Sequence, residues 1–131
     1  SMDGGKTWSK PKKINDDLTE RDQLFQSIAV NRNGTIHVSF LDRRDDPVDV
    51  RYYIYYTKSE DQGENWTPNA RVSDYTSNPN FGIPLFIGDY FTMAVSDEDT
   101  YIAWTDTRLG RLGSPNSCIA LARMRPVPSY S

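Results

Sequence analysis

One pattern occurs twice in this chain, as Ser1-x-Asp3-x-Gly5-x-Thr7-Trp8 and as Ser59-x-Asp61-x-Gly63-x-Asn65-Trp66, 58 residues apart. That spacing makes the chain a repeat protein, and repeats of this length stack neighbour on neighbour to bury a continuous core. In each copy the Asp side chain can accept hydrogen bonds from the backbone of its own turn. The Gly can supply a positive φ, and the Trp can anchor the turn against a sheet. The motif reads as a hairpin turn.

The residues behind each turn line up as well. Residues 11–16 (PKKIND) match 68–74 (PNARVSD), and 27–31 (SIAVN) match 92–96 (TMAVS). Residues 38–44 match 102–108, sharing the ending aromatic-x-Asp-x-Arg, while 54–58 (IYYTK) match 119–123 (IALAR). These runs are short, β-branched or aromatic, and bounded by Asn-Gly, acidic, Pro and Ser clusters, which predicts strands rather than helices. Asn33-Gly34 is a two-residue hairpin signal, and Asp97 to Asp99 occupies the same place in the second repeat. Residues 51–57 (RYYIYYT) are aromatic on both faces of their alternation, as expected of a strand packed between two sheets.

Fifteen basic against eighteen acidic residues give a net charge of -3, which leaves no cationic surface to neutralise a phosphate backbone and argues against nucleic acid as a partner. Apolar runs are too short for a transmembrane span, and the amino terminus has no secretory h-region, so any signal peptide is expected outside this chain. Cys118 stands alone and reads as a small buried filler. His37, alone in mid-strand, reads as a half-exposed strand residue rather than a zinc ligand. Asn33-Gly34-Thr35 and Asn65-Trp66-Thr67 match the glycosylation acceptor pattern, although both lie in turns that account for the residues without a sugar.

The paired S-x-D-x-G-x-x-W turns resemble the Asp box of the sialidase (neuraminidase-like, BNR-repeat) superfamily. Residues 86–90 (FIGDY) through Arg108, with the aromatic-x-Asp-x-Arg endings, resemble the carboxy-terminal blades of its bacterial and archaeal members. The resemblance covers nearly the whole chain. It implies an all-β fold, a segment of a six-bladed β-propeller of about two four-stranded blades, with a carboxy-terminal tail at 124–131 and an extracellular or cell-surface setting. Two blades cannot close a ring, and their open faces and edges would be prone to association. The missing blades are expected from a longer chain or from other copies of this one.

Sialidases hold the substrate carboxylate with three Arg and use a Tyr nucleophile activated by a Glu, with an Asp as acid/base. By resemblance Tyr90 corresponds to the nucleophile, although Phe91 follows where the family tends to have Ser. Arg51 resembles the third Arg of the triad, and Asp106 stands where the family tends to carry a Glu that braces an Arg. Arg44 and Arg108 are candidate substrate-binding residues, and Glu20 and Asp22 are weaker candidates for the acidic partners. The residues themselves leave another reading open, since Asp42 with Arg44 and Asp106 with Arg108 occur in both repeats and suit an ion pair of the scaffold.

Three functions fit this sequence. One is a sialidase-like glycoside hydrolase segment, one a non-catalytic propeller binding glycan or protein, and one a structural blade pair in an extracellular assembly. No cofactor is indicated. Structural calcium among Asp42, Asp45 and Asp46 is an alternative to an ordinary solvated acidic loop.

Overall fold

The computed structural model describes residues 1–83 and 86–125. The fold is all-β, with a 3-10 turn at Pro79–Phe81 among the described residues. Four strands, β1 (Gln23–Val30), β2 (Ile36–Asp42), β3 (Tyr53–Ser59) and β4 (Ala70–Arg71), form an antiparallel sheet in chain order. A second antiparallel sheet has three strands, β5 (Thr92–Val95), β6 (Thr100–Asp106) and β7 (Cys118–Met124). The second sheet shows three strands among the described residues, the number that the sequence pattern places between residue 92 and Arg123. The tail expected at 124–131 begins on the last residue of β7 and lies, from residue 126, outside the described residues.

The sheets stack because each turns an apolar face toward the other. Leu41, Tyr52 and Ile54 of sheet 1 meet Met93, Ile102 and Trp104 of sheet 2 in one buried cluster. The Tyr52 hydroxyl crosses between the sheets to donate to the Thr105 carbonyl at 2.8 Å, which satisfies its polar end. Burial, with the Asp106 carboxylate nearby, pushes the Tyr52 pKa up to about 12. The opposite face of β3 does not meet a second sheet. Tyr55 there packs with Val38 and Phe40, and Ile14 and Trp66 cover part of that cluster.

Both Asp turns close in the same way. Ser Oγ donates to the Asp carboxylate at 2.9 Å in the first and 2.8 Å in the second. It also accepts the Gly N–H, at 2.7 and 2.8 Å. The Asp then accepts the N–H four residues on, from Thr7 at 2.9 Å and Asn65 at 2.8 Å. The Thr7 hydroxyl and the Asn65 amide make matching side-chain bonds of 2.7 Å, so Asn65 is accounted for by its turn. Two successive left-handed residues are needed, and they are Gly4-Gly5 in one copy but Gln62-Gly63 in the other.

Beyond the turns the copies diverge. Trp66 packs toward the Val38–Phe40–Tyr55 cluster, whereas Trp8 is 79% exposed, so the two Trp share a local geometry and not a tertiary setting. Residues 11–16, expected as an outer strand, form none. A strand needs a ladder partner, and this segment is held by side chains instead: Asp16 N–H donates to Asn69 Oδ1 and Asn69 N–H donates to Asp16 Oδ2, both at 2.9 Å. The Asn33-Gly34 hairpin also differs from the two-residue form. Gly34 alone turns left-handed, at φ 87°, and Asn31 N–H bonds to the Thr35 carbonyl, giving a three-residue loop with Gly at the bulge position. The β5–β6 connection closes through Ser96 N–H on the Asp99 carbonyl at 2.8 Å.

His37 is buried, not half-exposed. Its Nδ1 lies 2.7 Å from the Tyr56 hydroxyl, and burial, then the Lys58 charge, holds its pKa below the usual value. Cys118 is half-buried at the start of β7, 3.5 Å from the Asp106 carbonyl.

The turn hydrogen bonds lower both Asp pKa values from 3.8 to about 2, through the Thr7 hydroxyl and N–H at Asp3 and the Asn65 N–H and side chain at Asp61. A folded-state pKa below the unfolded one contributes stability that is full above pH 4 or so and is lost as pH falls toward 2. Denaturant midpoints are therefore expected to fall across that acid window, and Asp61→Asn to flatten part of the fall. Trp66→Ala should destabilise by about 2 kcal/mol, while Trp8→Ala should cost under about 0.5 kcal/mol; equal costs would show that the two side chains are packed alike.

Candidate functional site

In antiparallel sheets the beginnings of β1, β3, β5 and β7 and the ends of β2 and β6 fall at one end of the stack. Arg44, Arg51, Tyr90, Asp106 and Arg108 all lie at that end, on the segments that leave β2 and β6 or lead into β3 and β5. The sequence candidates are thus gathered at one end by topology alone.

Two of the arginines are already held. Asp42 ends β2 fully buried, accepting Arg44 N–H at 2.7 Å and Arg44 Nε at 2.9 Å, with a second guanidinium contact at 2.8 Å. Asp106 ends β6 equally buried and does the same to Arg108, with contacts of 2.8 to 3.1 Å. Each guanidinium then reaches a second carboxylate, Arg44 to Asp16 at 2.6 Å and Arg108 to Asp74 at 2.8 Å. An aromatic face completes each clamp, with Arg44 4.3 Å above the Tyr55 ring and Arg108 5.5 Å from that of Tyr75.

Burial works against the Arg44 charge, but Asp42 and Asp16 outweigh it and hold the pKa above the usual guanidinium value. At Arg108 the bonds to Asp106 and Asp74 act in the same direction. Burial would raise the Asp16 pKa, yet the Asn69 N–H and Arg44 keep it below the ordinary carboxylate value.

No motif of the sequence assigns a role to Asp16 and Asp74, although they are 58 residues apart and so keep the period of the Asp turns. That shared spacing was the available signal. Asp74 lies on the connection leaving sheet 1, so its bond to Arg108 ties one sheet to the next. Asn78 N–H to Thr107 Oγ1 at 2.8 Å and Thr107 N–H to Ser77 Oγ at 3.2 Å strengthen the same joint.

Arg51 is different. Its backbone N–H donates to buried Asp46 at 2.6 Å, and Val50 N–H joins at 2.9 Å, which fixes the entry into β3. Burial would raise the Asp46 pKa, but these N–H donors prevail and lower it. The Arg51 side chain is exposed and, among the described residues, forms no salt bridge. Tyr90, two residues ahead of β5, is 91% exposed.

Glu20 lines an open cleft of about 410 Å³ with Thr19, Arg21, Arg44, Asp45 and Asp46, while Asp22 bonds to Arg43 at 3.3 Å. The three acidic residues considered for calcium point to different partners: Asp42 to Arg44, Asp45 to the Tyr55 hydroxyl at 2.7 Å, and Asp46 to backbone N–H groups. Among the described residues no group of three or more potential metal ligands converges. No helix among them is long and apolar enough to cross a membrane.

Comparison with protein-family models, with curated proteins and with solved structures gives no match.

The clamps make a graded prediction. Asp42→Ala strands a mostly buried guanidinium and should destabilise by about 3–5 kcal/mol. Asp74→Ala removes an exposed partner only and should cost under about 1 kcal/mol. Chemical denaturation of both variants checks the order, and a small effect of Asp42→Ala would remove the clamp from the fold's main supports.

Proposed function

We propose that this chain is a segment of a sialidase-like β-propeller whose strand-start end recognises the carboxylate of a terminal sialic-acid-type sugar on a glycan. The single observation that carries the reading is the state of Arg51. A carboxylate ligand needs a guanidinium whose fork is free, because an Arg already paired must lose one partner to gain another. Arg44 and Arg108 are each shared between two carboxylates, whereas Arg51 is exposed and forms no salt bridge among the described residues. Tyr90 supplies an exposed phenol at the same end of the stack, available as a nucleophile or as a sugar-stacking ring. A neutral phenol avoids the repulsion that a carboxylate nucleophile would meet from an anionic sugar.

The duplicated clamps favour a second reading, a structural blade pair. Asp42–Arg44–Asp16 and Asp106–Arg108–Asp74 serve both sheets alike, and a device present in every repeat belongs to the scaffold.

A fluorogenic sialoside and free sialic acid, offered to the assembled protein, separate these readings. Hydrolysis that Tyr90→Phe lowers by orders of magnitude, with folding intact, marks an enzyme. Binding without turnover, weakened at least tenfold by Arg51→Ala, marks a recognition propeller. If neither sugar is turned over or bound, the structural reading takes their place.

A further inference from the structure

Among the described residues the molecule contains one sheet-to-sheet interface, and its two outward faces carry residues that the repeat aligns with those of that interface. Within the chain, a face of sheet 1 carrying Leu41, Ile54 and Tyr56 covers a face of sheet 2 carrying Met93, Ile102 and Trp104. The repeat alignment gives each residue a counterpart on the other sheet. Met93, Ile102 and Trp104 correspond to Ile28, Val38 and Phe40, which lie together on the outward face of sheet 1. Ile54 and Tyr56 correspond to Ile119 and Leu121, which lie together on the outward face of sheet 2.

Val38 and Phe40 are 4% exposed, packed with Tyr55 under Ile14 and Trp66, so the part of the sheet 1 face left open is the β1 side at Ile28. Met93 is 8% exposed, but its counterpart Ile28 is 66% exposed; Ile54 is fully buried, but Ile119 is 76% and Leu121 65% exposed. Beside Ile28 an apolar-lined groove of about 310 Å³ runs between Ile14, Leu24, Val38 and Phe40. Apolar surface arranged as half of an interface that the molecule already builds has a defined complement.

We infer that the outward face of sheet 1 is covered by the outward face of sheet 2 of a second copy of this chain, in a head-to-tail contact that repeats the internal one. The contact joins different surfaces on the two copies, so it is heterologous and builds a ring where the rotation closes and a filament where it does not. The segment after the first Asp turn already sits where such a neighbour would place its outgoing connection. Asp16 grips Arg44 as Asp74, on the connection leaving sheet 1, grips Arg108 on sheet 2.

The register is fixed by the same equivalence. Tyr55 and Tyr56 of β3 pair with Arg71 and Ala70, and Val72 N–H donates to the Ile54 carbonyl at 2.7 Å. In the assembly Ala120 and Leu121 of the second copy's β7 therefore run beside Lys13 and Lys12, with Ile14 N–H on the Ile119 carbonyl. That pairing occupies the outer edge of β7, whose ladder partner among the described residues is β6 alone. The contact lies on the sheet faces and needs no sugar at the strand-start end.

Sedimentation velocity on the 131-residue chain, Ile28→Glu and Leu121→Glu, each alone and then mixed, tests the assignment. Both substitutions fall on exposed side chains, and circular dichroism confirms that each variant keeps its sheet. The unaltered chain is expected at a multiple of the 15.0 kDa chain mass, and each variant alone at the single-chain mass. Mixing should give a one-to-one pair that grows no further, because one sound face remains on each partner and only those two match. A monomeric unaltered chain, a variant whose mass equals that of the unaltered assembly, or a mixture that stays monomeric would each overturn the head-to-tail contact.

Discussion

The buried carboxylate at the end of each second strand governs the architecture. Asp42 and Asp106 are removed from water, and an unpaired charge in that position would be untenable. Each is neutralised by the Arg two residues on, whose backbone N–H and guanidinium both turn back onto it. The chain is thereby bent sharply as it leaves the sheet. The guanidinium also reaches a carboxylate delivered by a neighbouring segment, through its free Nη1 in Arg44 and through an Nη2 shared between both carboxylates in Arg108. Charge neutralisation, a chain reversal and the joint between successive sheets thus come from one residue pair.

This arrangement explains why sheet stacking and candidate chemistry meet at the same end of the molecule. The strand starts are crowded with charged residues because the joints between sheets are made there. Arg51 and Tyr90 lie outside the clamps. Their exposure contrasts with the buried order beside them, where Asp46 and its backbone donors fix the entry of β3.

Strand positions and Asp-turn geometry were legible in the sequence because both are local: alternation, Asn-Gly and S-x-D-x-G act over a few residues. Partners were less so. His37 looked half-exposed because a lone His in an alternating strand says nothing of its neighbours, and Tyr56 of the next strand packs against it. Trp8 and Trp66 are indistinguishable as sequence, yet only Trp66 has the Val38–Phe40–Tyr55 cluster beneath it. Residues 11–16 carry the pattern of a strand without a ladder to join. For the clamps, the Asp-x-Arg pairs were visible, but the second carboxylates at Asp16 and Asp74 became evident only once separate repeats were brought together.

The self-sufficiency of the Asp turn bears on the order in which this protein assembles. At Ser1–Trp8 every bond of the motif forms between residues at most four apart, with no sheet beside it. Loops that short close in well under a microsecond and at small entropic cost, whereas bringing β3 against sheet 2 requires ordering some fifty intervening residues. The second turn can therefore set the β3–β4 register before the stack exists, so that the slow search is confined to docking preformed sheets and each added repeat lengthens the protein without raising its contact order.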